Sequence, residues 1–237
     1  MHCRLKHILL LASAASILSS CSLAKEKSRI SVDRSEVELY PGDTAHISAW
    51  GGDGGPMYVS ANEFIAVVDQ EGIIAAQKVG ATTVRAVAVG STAPVKVTVN
   101  PRSIFYAEPF TDWTLKEKQV RDTMENYTLV FDDQDNHVLY YAGKAPVNEI
   151  IYWFTADKLS ASAVTFSNIV AGDISGFLGE RYLKTDIEAD GYQAIYVNGY
   201  TNKTVTLLVG VTLPDENGLI AVTYQPKSGD IEFEPGE

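Results

Sequence analysis

The chain has 237 residues, 46% hydrophobic and 21% charged, with 19 basic against 30 acidic side chains and two cysteines. That length and apolar content support one large domain or two small ones with ordinary cores, which excludes a disordered chain and a disulfide-stapled miniprotein. The formal charge of −11 leaves no basic excess to neutralise phosphate, so neither nucleic acid nor an anionic membrane surface is expected as a partner.

The first element in chain order is an address. Arg4 and Lys6 precede an apolar run from Ile8 to Leu18. At about eleven residues the run falls short of the roughly 20 needed to cross a bilayer core. A basic start, a short apolar stretch and small residues after it read as a secretory signal over 1–20. Leu18-Ser19-Ser20-Cys21 resembles a bacterial lipobox, in which a diacylglyceryl group joins the cysteine thiol before cleavage. The resemblance implies a mature protein beginning at lipid-modified Cys21, palmitate-bearing and membrane-anchored, with residues 21–29 as a polar tether. Cys3 then leaves with the signal and Cys21 is consumed, so thiol nucleophiles, disulfides and thiolate metal sites are excluded. No later apolar stretch approaches spanning length, and the remainder is expected to be soluble and tethered.

From Ile30 to Asn100 short alternating runs are separated by turn residues. Val37-Glu-Leu39, Ala45-His-Ile47, Phe64 to Val68, Ile73 to Ala76, Thr82 to Val89 and Val95 to Val99 predict strands. Pro41-Gly42-Asp43, Gly51 to Pro56 and Asp69 to Gly72 predict the turns. Several strands without a helical period point to an all-β sandwich. Leu39-x-Pro-Gly-Asp-Thr44, Ser60-Ala-Asn62, Ile65-Ala-Val-Val-Asp69, Glu71-Gly72-Ile73 and Val79-Gly80-Ala-Thr-Thr-Val84 occur in one order. In this respect residues 30–100 resemble the bacterial Ig-like domain of group 2, known from intimin- and invasin-type adhesins. Tyr58 stands where that family carries a tryptophan. The resemblance implies a spacer, adhesion or carbohydrate-associated role without catalysis.

Asn100-Pro101 marks a linker, and residues 103–237 mix periods. Thr114-Leu-Lys-Glu117 reads as a capping box, followed by Val120, Met124 and Tyr127 on one helix face. Strands are expected at 128–131, 138–142, 149–154 and 159–166. A second helix face follows at Ile174, Phe177, Leu178 and Tyr182, then strands at 192–198, 204–211 and 219–224. Tyr127 aligns with Tyr182, and Leu139 to Ala142 with Ala194 to Val197, at a shift of 55 residues. This similarity predicts two αβββ repeats sharing an antiparallel sheet, an α+β domain with both helices on one face. The region resembles uncharacterised α+β repeat domains of Bacteroidetes-type lipoproteins and, more distantly, the helix-plus-sheet repeats of β-lactamase-inhibitor-like envelope proteins.

Overlaying the copies puts Tyr140, Ala142, Ile150, Tyr152 and Phe154 with Ile195, Val197, Val205, Leu207 and Val209 under the helices. Tyr141, Trp153, Tyr192 and Tyr196 then face away and form the candidate binding surface. A slip of one residue exchanges the faces. Exposed, the rings suit a sugar or a partner protein; alternatively they are covered by the Ig-like domain or by the tail at 225–237.

Motifs for chemistry are sparse. His46 and His137 have no third ligand nearby in sequence, Gly-x-Ser-x-Gly does not occur, and the Gly51–Gly55 cluster lacks the Lys-Ser/Thr of a phosphate loop. Asp132 to Asn136 reads as a solvated hairpin turn, since it lacks the glycine and distal glutamate of a calcium loop. No catalytic residue, metal or cofactor is therefore expected. The leading expectation is a non-enzymatic, outer-membrane lipoprotein of the cell envelope. Its Ig-like spacer presents a C-terminal binding or adhesion domain to a protein or carbohydrate ligand. The alternatives are a periplasmic interaction partner, such as an enzyme inhibitor or assembly factor, and a hydrolase using a carboxylate pair.

Overall fold

A computed structural model describes residues 29–233; the signal segment, Cys21 and nearly all of the tether lie outside the described residues. Nine short strands come first: β1 (Ser31–Val32), β2 (Glu36–Leu39), β3 (Thr44–His46), β4 (Ala49–Trp50), β5 (Met57–Ser60), β6 (Ala66–Val68), β7 (Ile73–Ala76), β8 (Gly80–Ala88) and β9 (Ser91–Val99). They form a four-stranded sheet β2-β9-β8-β5, a three-stranded sheet β3-β7-β6 and a small ribbon β1-β4. Alternation makes the core. Val84 and Val95 face each other across β8 and β9, and both are fully buried with Ile47 and Ile74 from the other sheet. Two sheets closed on one apolar interior are an Ig-like sandwich.

Turn chemistry sets the register. Asp69 Oδ1 accepts the backbone N–H groups of Glu71 at 3.0 Å and Ile73 at 2.8 Å, which folds the chain tightly between β6 and β7. Gly72 then adopts φ +81°, and a Cβ there would lie 2.3 Å from the Ile47 carbonyl oxygen. Tyr58 is buried, and its hydroxyl accepts the Ala49 N–H at 3.1 Å. The ring thus fills the core while its polar tip stays paired.

The C-terminal part runs α1 (Glu117–Thr123), β10 (Leu129–Asp133), β11 (Val138–Ala142), β12 (Glu149–Thr155), β13 (Lys158–Ser167), a 3-10 turn (Asn168–Val170), α2 (Ala171–Arg181), β14 (Leu183–Lys184), β15 (Tyr192–Val197), β16 (Leu207–Thr212) and β17 (Leu219–Pro226). One eight-stranded antiparallel sheet results, in the order β10-β11-β12-β13-β17-β16-β15-β14. Each half carries four strands, not the three of the expected αβββ unit. The extra strand of the second half, β14, is two residues long and leaves no periodic signal.

The start of α1 also differs from expectation. Thr114 does not cap the helix: its backbone N–H and hydroxyl both bond to Asp112 Oδ1, at 3.0 and 2.6 Å, in a turn before the helix. Lys116 is the N-cap, and its N–H donates to the Gln119 side chain at 2.9 Å. Val120 and Met124 are buried as expected, against Leu139, Tyr141, Tyr152 and Phe154. In α2, Ile174, Phe177 and Leu178 pack on Phe166, Val209, Ile220 and Val222. Ile150 touches both clusters and stands opposite Val164, so the two helices share one face of the sheet.

The segment after Pro101, for which no helix or strand is expected before Thr114, is part of this core. Phe105 stacks on Phe166 at 5.8 Å, Tyr106 lies against Phe177 at 4.1 Å, and Phe110 stacks on Tyr152 at 5.4 Å. Its aromatic side chains close the space over the sheet beside the two helices.

Three glycines interrupt α2. A Cβ on Gly172 or Gly176 would meet nothing within 4 Å. Alanine at each therefore removes unfolded-state freedom without steric cost. Gly172→Ala and Gly176→Ala are each expected to stabilise the protein by about 0.5–1 kcal/mol, measured by denaturant melts, whereas a loss of stability would show that the helix needs its glycines.

Candidate functional site

The face of the eight-stranded sheet away from the helices is crossed by a row of directly paired residues, Phe131–Tyr140–Ile151–Ala163–Thr223–Gly210–Ile195. The row begins with rings and ends in an aliphatic, but its middle is small. On this face Trp153 and Tyr140 cover Val138, Ile151 and Ala163.

The four predicted rings divide between the two faces. Trp153 and Tyr192 lie on the open face, half-buried. Tyr141 and Tyr196 do not: each is 3% exposed, Tyr141 packed under α1 and Tyr196 under α2, where its hydroxyl lies 3.5 Å from that of Ser175. The error has a geometric cause. Residues paired directly across an antiparallel hairpin share a face, and the loop between β11 and β12 pairs Tyr141 with Ile150 and Leu139 with Tyr152. Ile150, Tyr152 and Leu207 are correctly placed under the helices. Tyr140 pairs with Ile151 and faces outward, and Ile195 pairs with Gly210 on that outward face.

Trp153 and Tyr192 wall a groove of about 350 Å³, lined also by Ser160, Ala161, Thr223 and Gln225. Trp153 stands directly opposite Ala161. The Tyr192 ring lies over the backbone of Gly210, where an added Cβ would come within 2.4 Å of the ring. A side chain at 210 would lift the ring off the sheet, so this glycine shapes the wall. The lining, among the described residues, holds no carboxylate, imidazole or cation. Ser160 donates to the Trp153 carbonyl at 3.2 Å and Thr223 to the Gly210 carbonyl at 3.3 Å. Both hydroxyl oxygens keep lone pairs to accept from a ligand. The sequence signal for this floor is the small residues Ala161 and Ala163 of β13, together with a glycine within the apolar β16.

The sandwich packs on the β14 end of the sheet. Leu183 inserts against the sandwich core, the Val79 N–H donates to the Glu180 carbonyl at 2.8 Å, and Lys78 Nζ donates to the Gly179 carbonyl at 2.6 Å. Glu180 Oε2 accepts the N–H groups of Arg102 and Ser103, at 2.9 and 3.0 Å. The ring of Phe64 meets Tyr200 edge-on at 5.1 Å. The described part of the tail fastens beside Asn202, whose side chain donates to Asp230 at 2.7 Å. Both contacts leave the Trp153–Tyr192 groove open.

His46 Nε2 lies 3.0 Å from the Glu71 carbonyl oxygen, and His137 occupies a turn with φ 54°. Among the described residues no three His, Cys, Asp or Glu side chains gather as metal ligands, and no helix is long and apolar enough to cross a membrane. The Asp132–Asn136 segment closes on itself, with Asn136 donating to both oxygens of Asp133.

No protein-family model and no curated protein matches the chain. Among solved structures it is similar to an intimin mutant of EHEC O157:H7, at 14% identity over 49% of this chain and 85% of that one, with a TM-score of 0.26. It is also similar to the S-layer protein SbsC. Domains 4–9 match at 11% identity over 85% of this chain and 27% of that one, TM-score 0.29. Domains 5–6 match at 12% identity over 84% and 83%, TM-score 0.27. Likenesses at these scores carry no functional argument.

Proposed function

We propose that this is a non-enzymatic protein of the bacterial cell envelope that binds a protein or glycan through the open sheet face. In this reading the lipid on Cys21 anchors it in the outer membrane, residues 30–100 act as the spacer, and residues 103–237 form the binding domain. That domain is read as two copies of a helix followed by four strands, in which Tyr141 and Tyr196 occupy the second strand of each copy. The observation that carries the binding role is the groove between Trp153 and Tyr192: two rings over a floor of small side chains, on a face that an ordinary antiparallel sheet gives to polar residues. Tyr141 and Tyr196 have no part in it, being core residues.

The test is binding of the purified chain to envelope fractions. Combined Trp153→Ala and Tyr192→Ala changes are expected to weaken it roughly tenfold or more. Equal binding by a double variant that melts like the parent would refute the site. Cys21→Ser is expected to move the protein from the membrane to the soluble fraction, and retention on the membrane would refute the anchor.

A further inference from the structure

The groove's geometry points to a narrower ligand class. We infer that it holds a neutral sugar ring lying flat on the sheet, an assignment that rests on the open face being the binding surface.

The dimensions come from strand spacing. Trp153 is on β12 and Tyr192 on β15, with β13, β17 and β16 between them. The Tyr192 ring already spans β16 above Gly210. The uncovered stretch therefore lies over β13 and β17, about two strand spacings or ~10 Å wide. Its floor at Ala161 and Thr223 is made of small side chains, which leave room for a ring on the sheet beside the aromatic walls.

Three features then select the occupant. In a chain with 30 acidic side chains, the six residues lining this groove carry no formal charge, which matches an uncharged ligand. The hydroxyls of Ser160 and Thr223 and the amide of Gln225 offer acceptors and donors around the rim, and the indole and phenol offer π faces to the C–H side of a pyranose. An extended peptide fits poorly. β13 and β17 are central strands whose backbone groups are engaged with their neighbours, so a peptide on this face would bury its own N–H and C=O groups without a ladder.

The test uses the full mature chain and follows tryptophan fluorescence during titration with soluble neutral oligosaccharides: β-1,4-glucan, mannan and N-acetylglucosamine oligomers. Oligogalacturonate and an uncharged proline-rich peptide serve as competitors. At least one neutral oligosaccharide is expected to bind, to displace the chain from envelope fractions, and to weaken roughly tenfold or more with Trp153→Ala. Gly210→Ala is the second variant: it leaves the indole in place but pushes the Tyr192 ring aside, and is expected to weaken the sugar without abolishing the fold. The sugar assignment is overturned if envelope binding depends on Trp153 and Tyr192 while no neutral sugar competes, or if oligogalacturonate or the peptide competes instead. Envelope binding indifferent to both rings would overturn the open-face reading itself.

Discussion

Between about pH 9 and about pH 11 the C-terminal part is expected to lose stability steeply. Tyr106, Tyr152 and Tyr224 are buried and Tyr182 is half-buried, and the loss of solvent holds all four phenols well above the ordinary value of 10.0. Two have a second reason to stay protonated. The Tyr182 hydroxyl donates to the Glu108 carboxylate at 2.6 Å, so ionisation would set two anions together. The Tyr224 hydroxyl shares a 2.6 Å hydrogen bond with that of Tyr106, which holds the proton on Tyr224. In the unfolded chain these phenols ionise near their ordinary value. Above that pH the unfolded state binds fewer protons than the folded one, and stability falls as pH rises; below it the contribution is complete. Each such phenol costs about 1.4 kcal/mol per pH unit, so four cost up to roughly 5.5 kcal/mol per unit. Denaturant melts across this range, with phenolate absorbance, would show it. Tyr152→Phe is the informative variant, because its hydroxyl meets the Met124 sulfur at 3.9 Å and the Phe110 backbone and bonds to none of the other three phenols. It is expected to reduce the alkaline slope by about a quarter, at a cost of about 1 kcal/mol near neutrality. Stability that stays level to about pH 11 would contradict the burial of these rings.

Phe177→Ala is expected to destabilise the protein by about 3–5 kcal/mol, a large share of a typical domain's stability. Phe177 is 1% exposed and sits between Tyr106 and the Arg181 guanidinium, which lies 3.5 Å from its ring centre. Arg181 in turn donates to the Ser103 carbonyl at 3.0 Å and pairs with Glu108 at 3.6 Å. Loss of the ring therefore leaves a cavity and releases the clamp that fastens residues 103–108 to α2. Phe177→Leu keeps most of the apolar volume and is expected to cost under half as much. Equal losses for the two variants would show that the cavity is not what matters.

The elements legible from sequence are those where one local signal suffices. Alternation at Val37-Glu-Leu39 and Thr82 to Val89, and turn chemistry at Asp69 to Gly72, gave the sandwich strands their places. Spacing gave Val120 and Met124 their buried face. What escaped depends on through-space geometry. The face of Tyr141 is decided by how the loop to β12 sets the pairing, and a parity of one residue leaves no trace in composition. The core role of Phe105, Tyr106 and Phe110 escaped because an irregular segment has no period, although three aromatics in six residues were themselves a sign of burial. The groove was half legible: Trp153 and Tyr192 were found as rings, but its floor is defined by what Ala161, Thr223 and Gly210 lack.

Contact of ligand with Trp153 on the open face of the sheet is measured most directly by the indole N–H resonances of Trp50, Trp113 and Trp153 in the purified protein during titration with solubilised envelope glycan. The Trp153 signal is expected to shift while those of Trp50 and Trp113 stay in place. A shift confined to Trp50 or Trp113, with Trp153 unmoved under saturating binding, would contradict that contact.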